Sequence, residues 1–410
     1  MTKKRVFIVD EHLSSKQNGV GTYMRCLLDC MQGLDVEINF ISFNSEEKEF
    51  CFYKRRGCTY YCFPICNGGR MLESGSLCWP ILRMYVADNK DNIFFINHSP
   101  CVEFLKSLRK LYKKSKIVFT IHDQGWTASL LGNRKRLHEI ISKNYPHKKI
   151  YEKELFCKRY FRQECRMYQM VDKVICLSES TKKLLLDTYK VSKEKIHLIP
   201  NGYSETYCQY TPTMRKQLRT DMGIGQGELL LLFVGRTVKS KGIEELLTAF
   251  ENLWKSDNRL RLVIAGEVYR FNDFAKLTPH SASHITYTGL IPTEQLQKWY
   301  QISDIGVLPS YSEQCSYTGM EMMANGLLIV TTDGNGLTDM FHSNYNALVA
   351  PIEPNLSESL EHTLDYALCL DEDIRMSIRH HAKEYLTMHY SLSAMREGYH
   401  NLIHTKSVFD

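Results

Sequence analysis

The chain has 410 residues, 43% of them apolar and 24% charged, with a formal net charge of +6. A length of this order exceeds what one hydrophobic core serves, so two domains of roughly 150–200 residues are expected. The composition excludes a disordered chain or a fibrous repeat, and no run of ~18 apolar residues is present to cross a bilayer as a helix.

In chain order, short apolar and aromatic runs alternate with helical stretches, the pattern of parallel sheets built from βαβ units. The first run, about 5–10, is too short for a signal-peptide core and lacks a small-residue cleavage site, so no secretion signal is expected. Lys16-Gln17-Asn18-Gly19-Val20-Gly21-Thr22-Tyr23 follows and leads into a helical run from Met24 to Met31. Gly19 and Gly21 let backbone amides approach an anion or a sugar closely, although a plain turn uses glycines in the same way. It is not the dinucleotide fingerprint, because Met24 occupies the third glycine position.

Further strands are predicted at about 36–43, 92–99, 116–123, 172–178 and 195–200. The fourth strand of this half ends in His122-Asp123, where a histidine either orients a substrate hydroxyl or is a satisfied structural residue. Twelve of the fourteen cysteines lie at or before Cys208, including Cys58, Cys62 and Cys66. A chain this long needs no disulfide framework and shows no zinc-ligand pairing, so reduced, mostly buried thiols are expected.

Pro200-Asn201-Gly202 and the polar stretch from Tyr203 to Gly227 read as a connection between domains. Beyond it, strands are predicted at about 228–235, 260–266, 284–288, 304–309, 327–332 and 346–350. In doubly wound sheets ligands bind beyond the carboxyl ends of strands, so the residues there carry the candidate chemistry. Phe233-Val234-Gly235-Arg236 precedes Lys241-Gly242 at a helix start, and two cations a short loop apart suit a diphosphate. Gly289, with Leu290 and Ile291, ends a strand where backbone groups could meet a flat base.

The segment Glu313-Gln314-Cys315-Ser316-Tyr317-Thr318-Gly319-Met320-Glu321 is the most specific motif. It places Glu313 in a loop and Glu321 on a helix beginning near Ser316. The amides of Ser316, Tyr317 and Thr318 would then face an anionic ligand, with Gly21 as a further diphosphate contact, while an acidic residue can reach a ribose diol.

Taken together these residues resemble the retaining GT-B glycosyltransferases of family 4, whose signature is Glu-x7-Glu. The resemblance runs over nearly the whole chain, from Gly19/Gly21 and His122-Asp123 through Ile199-Pro200-Asn201-Gly202, Gly235-Arg236, Lys241-Gly242 and Gly289 to Glu313 and Glu321. It implies an α/β fold of two Rossmann-like doubly wound domains facing across a cleft: 1–202 on the acceptor side, 203–385 for the nucleotide sugar, and a C-terminal helix in 386–410 returning to the first domain. It also implies Arg236 and Lys241 as the diphosphate clamp, Glu321 as the ribose ligand, and Glu313 and His122 as the groups that touch the donor sugar. Gly19, Gly21 and Asp123 would border the sugar or the acceptor.

Such enzymes generally use a UDP- or GDP-linked donor with no metal and no further cofactor, and retain anomeric configuration. The family's common Glu-Gly-Phe-Gly is here Glu313-Gln314-Cys315-Ser316, a string similar to a Bacteroidetes subgroup, some of whose members accompany clusters for modified peptides. The alternatives are a nucleotide-sugar epimerase, an inactive nucleotide-sugar-binding partner, or transfer to a peptide.

Charge divides unevenly along the chain. Residues 1–200 hold 35 Lys+Arg against 21 Asp+Glu, a net +14, and the remainder hold 17 against 25, a net −8. Clusters at Lys54-Arg55-Arg56, Arg109-Lys110, Lys113-Lys114 with Lys116, Arg134-Lys135-Arg136 and Lys148-Lys149 form either a solvated basic face or a surface for an anionic acceptor or lipid. The expected setting is cytoplasmic, peripheral at the inner membrane face, in cell-surface polysaccharide or glycoconjugate synthesis, with no nucleic-acid partner.

Overall fold

The computed structural model describes residues 3–11, 19–65, 71–98, 101–145, 151–203 and 210–405. Its internal contacts divide it into two units, Met1–Gly202 with Leu392–Asp410, and Tyr203–Ser391.

The first unit is one eight-stranded sheet: β1 (Lys4–Glu11), β2 (Val36–Ser45), β3 (Cys51–Arg55), β4 (Cys58–Pro64), β5 (Asn92–Ile96), β6 (Lys116–Thr120), β7 (Lys173–Cys176) and β8 (Ile196–Leu198). The spatial order is β3-β4-β2-β1-β5-β6-β7-β8, every pair parallel except β3 with β4. Val6, Phe7, Ile8 and Val9 are completely buried, as is the whole of β5, which is why these strands are continuous apolar runs rather than alternating ones. β1 is the first strand in sequence, with β2 on one side and β5 on the other, so the sheet's direction of winding reverses between β1 and β5.

The hairpin β3–β4 was not among the predicted strands. Arg55 pairs with Cys58 across a two-residue turn, Arg56-Gly57, with φ of 50° and 75°. Positive φ at both central positions is the geometry that suits a tight hairpin, but Arg56 replaces the usual Asn or Asp and conceals the signal. The helix Leu392–His404 belongs to this unit and packs on Gly19–Gln32, burying Tyr399, Leu402 and Ile403. The Tyr399 and Tyr23 hydroxyls are hydrogen-bonded to each other, and Cys30 donates to the Leu392 carbonyl at 3.6 Å.

The second unit has six parallel strands: β9 (Leu229–Val234), β10 (Leu260–Ala265), β11 (Ile285–Gly289), β12 (Ile305–Leu308), β13 (Leu328–Thr332) and β14 (Leu348–Ala350), in the order β11-β10-β9-β12-β13-β14. All six match the predicted runs to within a few residues. The helix Ile243–Ser256 shows how the layers form: Ile243, Leu246, Leu247, Phe250 and Leu253 recur at helical spacing and are buried against the sheet. The winding reverses between β9 and β12.

No helix among the described residues is long and apolar enough to cross a membrane. The cysteines among them form no disulfide, and eight are buried. Cys66 and Cys208 lie outside the described residues.

Candidate functional site

The reversal between β9 and β12 leaves a crevice at the carboxyl ends of these strands, the place where open parallel sheets accept ligands. After β9 the chain runs through Gly235-Arg236 to a short 3-10 turn, Lys239–Lys241, and then Gly242 at the mouth of helix Ile243–Ser256. After β12 it runs through Pro309 to Glu313 before helix Tyr317–Asn325. The two loops touch: Tyr311 N–H donates to the Ser240 carbonyl at 3.0 Å. Gly242 has φ +67°, and a Cβ there would lie 2.0 Å from the Pro309 carbonyl oxygen, so only glycine permits this approach.

At this junction Lys241 Nζ meets Glu313 Oε1 at 2.5 Å, with both side chains mostly shielded from water. Arg236 is exposed and forms no ion pair among the described residues. Glu313 is supported from beneath by the turn after β13: its N–H donates to the Asn335 carbonyl at 2.9 Å, and Gly336, at φ +78°, lies against the Glu313 carbonyl. The Asp333-Gly334-Asn335-Gly336 string that builds this support is a turn signal directly after a predicted strand, and sequence reasoning passed over it.

Ser316 is the N-cap of Tyr317–Asn325, its hydroxyl accepting from Gly319 N–H at 3.2 Å. Its own N–H is directed at the Met340 sulfur, 3.2 Å away. Tyr317 is buried and Thr318 half-buried. One helical turn on, Glu321 Oε2 accepts from the Tyr300 hydroxyl at 2.6 Å, an orienting contact from helix Thr293–Ile302 that the sequence did not announce. Gly289 closes β11 with φ +66° and its carbonyl accepts from Gly266 N–H at 3.1 Å; Leu290 is exposed and Ile291 half-buried.

In the first unit, β6 delivers His122 to the sheet's carboxyl edge. Its ring meets Tyr23 edge-on at 4.3 Å between centroids, and Nε2 is buried without a hydrogen-bond partner among the described residues. Burial, with a smaller contribution from nearby His98, pushes its pKa down to about 3, so the imidazole stays neutral. Asp123 serves its own loop, since Oδ1 accepts from Gln124 N–H at 2.8 Å and from the Thr127 hydroxyl at 2.5 Å, capping the next turn. Gly19 and Gly21 form the first turn of helix Gly19–Gln32, while Lys16, Gln17 and Asn18 lie outside the described residues. Asp10 and His98, 3.2 Å apart at the ends of β1 and β5, mark this sheet's own winding reversal and were not singled out from sequence.

The turn carrying His122 rests on a buried carboxylate. Glu164 accepts from Gly125 N–H at 2.8 Å and from the Tyr189 hydroxyl at 2.5 Å, and Tyr189 in turn accepts from the Trp126 indole at 2.9 Å. Burial raises the Glu164 pKa from 4.5 to about 7 despite these hydrogen bonds. A carboxyl that binds its proton more tightly when folded lowers stability as pH rises. The contribution present below about pH 4.5 is therefore lost by about pH 7, on the order of 3 kcal/mol in all. Thermal denaturation across that interval should show Glu164→Gln gaining on the wild type by that order, whereas a constant difference would mean Glu164 does not change protonation there.

Two family models cover most of the chain: Glycosyltransferase Family 4 matches residues 17–206 and Glycosyl transferases group 1 matches residues 214–385. The chain is 32% identical over 165 residues to the alpha-monoglucosyldiacylglycerol synthase of Streptococcus pneumoniae, a match covering 39% of this chain and 37% of that protein. It spans about half or less of the length of the first curated relatives it matches. Among solved structures, sucrose-phosphate synthase from Thermosynechococcus elongatus is similar with a TM-score of 0.76 at 16% identity, covering 98% of both chains. A trehalose-6-phosphate structure from E. coli bound with UDP-2-fluoro glucose is similar with a TM-score of 0.70 at 14% identity, covering 98% of this chain and 99% of that one. The fold of the two units is thus GT-B.

Proposed function

Because this chain belongs to the family 4 and group 1 glycosyltransferases, we propose that it transfers a sugar from a nucleoside-diphosphate sugar to an acceptor hydroxyl with retention of configuration. The observation that carries this reading is the meeting of Lys241 and Glu313 at the winding reversal of the second sheet, with Arg236 on the same strand-end loop. The two cations suit the diphosphate. As the sugar's C1–O bond to the phosphate breaks, charge grows on the leaving oxygen, and a fixed cation there lowers the barrier. The acceptor oxygen bonds to C1 from the same face and passes its proton toward the leaving phosphate. Glu313 positions the sugar, and the family resemblance also assigns His122, whose imidazole stays neutral, to the donor sugar.

Glu321 binds the ribose hydroxyls, and Tyr300 fixes its orientation. Tyr300→Phe removes one hydrogen bond to a carboxylate and is expected to weaken donor binding about three- to tenfold, with turnover at saturation little changed. Equal donor affinity in the variant would detach Glu321 from the ribose.

The acceptor is anionic or lipid-linked, in keeping with the net +14 of residues 1–200 and with the name of the diacylglycerol-sugar relative, and the enzyme works at the inner membrane face in cell-surface glycoconjugate synthesis. Glu313-Gln314-Cys315-Ser316 in place of the glycine-rich form makes donor choice particular to this chain's subgroup. A thermal-shift panel of UDP and GDP sugars tests the reading, since a ligand at 100 times its Kd adds about 2.7 kcal/mol. Stabilisation by none of them would remove it.

A further inference from the structure

From Leu77 onward the helix Met71–Tyr85 carries apolar residues on the side that packs and on the side that does not. Cys78, Trp79 and Leu82 are buried against the first unit's sheet, with Trp79 edge-on to Phe43 at 5.3 Å. On the outer side Leu77, Ile81, Met84 and Tyr85 recur at helical spacing and are 37% to 80% exposed. A surface helix ordinarily turns charged residues outward, so an apolar outer stripe marks an interaction surface.

The stripe continues onto β3. Phe52, 54% exposed, meets Tyr85 with ring centroids 5.0 Å apart. Two residues along the strand, on the same face, stands Lys54, and Arg55 and Arg56 follow at the hairpin turn. All three are exposed, and none forms an ion pair among the described residues. Elsewhere in this unit Arg109 is paired with Asp172 at 2.6 Å, and Arg136 with Glu139 and Glu154.

We propose that this patch, Phe52, Leu77, Ile81, Met84 and Tyr85 with Lys54, Arg55 and Arg56, is a docking surface for an anionic lipid bilayer. Apolar and aromatic side chains enter the boundary between headgroups and acyl chains while the cations meet anionic headgroups. β3 is the sheet's edge strand, and its row of cations opposes edge-to-edge pairing with a second copy, which would bring like charges together. The same cations favour an anionic lipid surface. The proposal stands independently of sugar transfer, because adsorption needs no turnover.

The test is co-sedimentation of the full chain with vesicles of phosphatidylcholine alone and of phosphatidylcholine mixed with phosphatidylglycerol, across a salt series. Wild type should sediment with the mixed vesicles, less so as salt rises, and weakly with phosphatidylcholine alone. Leu77→Ser with Met84→Ser should lower partitioning at least about tenfold. Lys54→Ser with Arg55→Ser and Arg56→Ser should lower it on the order of a hundredfold on mixed vesicles at low salt, and little on neutral ones. Met84→Ser alone is the milder variant, and circular dichroism with melting confirms that each remains folded. Nucleoside-diphosphate binding, measured in parallel, should be unchanged in all of them, which separates failure of this surface from failure of the transfer reading. No sedimentation of wild type, or sedimentation that ignores the Leu77 and Met84 changes, overturns the proposal. So does a wild-type dimer in sedimentation velocity that those changes dissociate without any vesicle binding, since the patch would then be a contact between copies.

Discussion

Arg236→Ala is expected to weaken binding of UDP or GDP by about 1.5–3 kcal/mol, the range of a hydrogen bond to a charged group, and Lys241→Ala is expected to cost more. The difference follows from the ion pair. Lys241 offsets the charge of Glu313 at 2.5 Å, and when a diphosphate arrives Lys241 is the cation standing between two anionic groups. Removing it leaves a shielded carboxylate facing the diphosphate with no counter-charge, so repulsion adds to the lost attraction. Arg236, exposed and without an ion-pair partner among the described residues, is lost with no such penalty. Calorimetric titration of both nucleotides into the two variants reads this directly. Both variants binding as wild type would remove the clamp, and Arg236→Ala losing more than Lys241→Ala would show that the pair with Glu313 does not govern binding.

The complementary substitution is expected to divide affinity from turnover. Glu313→Gln keeps the size and one acceptor oxygen but discards the charge. Lys241 is then released from its strongest competitor for the diphosphate, so nucleotide affinity should hold or rise. The donor sugar, however, loses the carboxylate that positions its reacting carbon, and turnover should fall on the order of a hundredfold, within the range seen when a fixed electrostatic group is removed from an active site. Initial rates and nucleotide titrations on the same preparation separate the two effects. Undiminished turnover would take Glu313 out of the reaction, and a parallel loss of affinity would make it a plain binding residue.

The strand ends that build this site were readable in sequence for a physical reason. β9 and β10 are buried on both faces, so Leu229 to Val234 and Leu260 to Ala265 had to be continuous apolar runs, and the glycines and charges that interrupt them mark where the sheet ends. The hairpin β3–β4 was not readable in the same way. It lies at a sheet edge, carries exposed Phe52, Tyr53 and Lys54 in place of an apolar run, and turns through Arg56-Gly57.

Side-chain partnerships were the least accessible. Lys241 and Glu313 are far apart in sequence and meet only because β9 and β12 are neighbours in the sheet, an order the chain does not spell out. Tyr300 beneath Glu321 and Glu164 beneath the His122 turn belong to the same class, because a buried polar contact leaves no periodic trace. Asp123 is similar: a carboxylate beside His122 at a strand end suggests chemistry, and the structure adds that its Oδ1 also caps a local turn, which no pattern in the sequence announces.

The most direct test of the account follows the donor itself by proton NMR, using the wild-type chain with a panel of UDP- and GDP-linked sugars and no assumption about the acceptor. Slow transfer to water should consume one of these donors, release the free nucleoside diphosphate, and deliver the sugar first in the anomeric configuration it had in the donor, with Glu313→Gln suppressing the reaction. A sugar first appearing with inverted configuration, an epimerised sugar still attached to its nucleotide, or no consumption of any donor would contradict it.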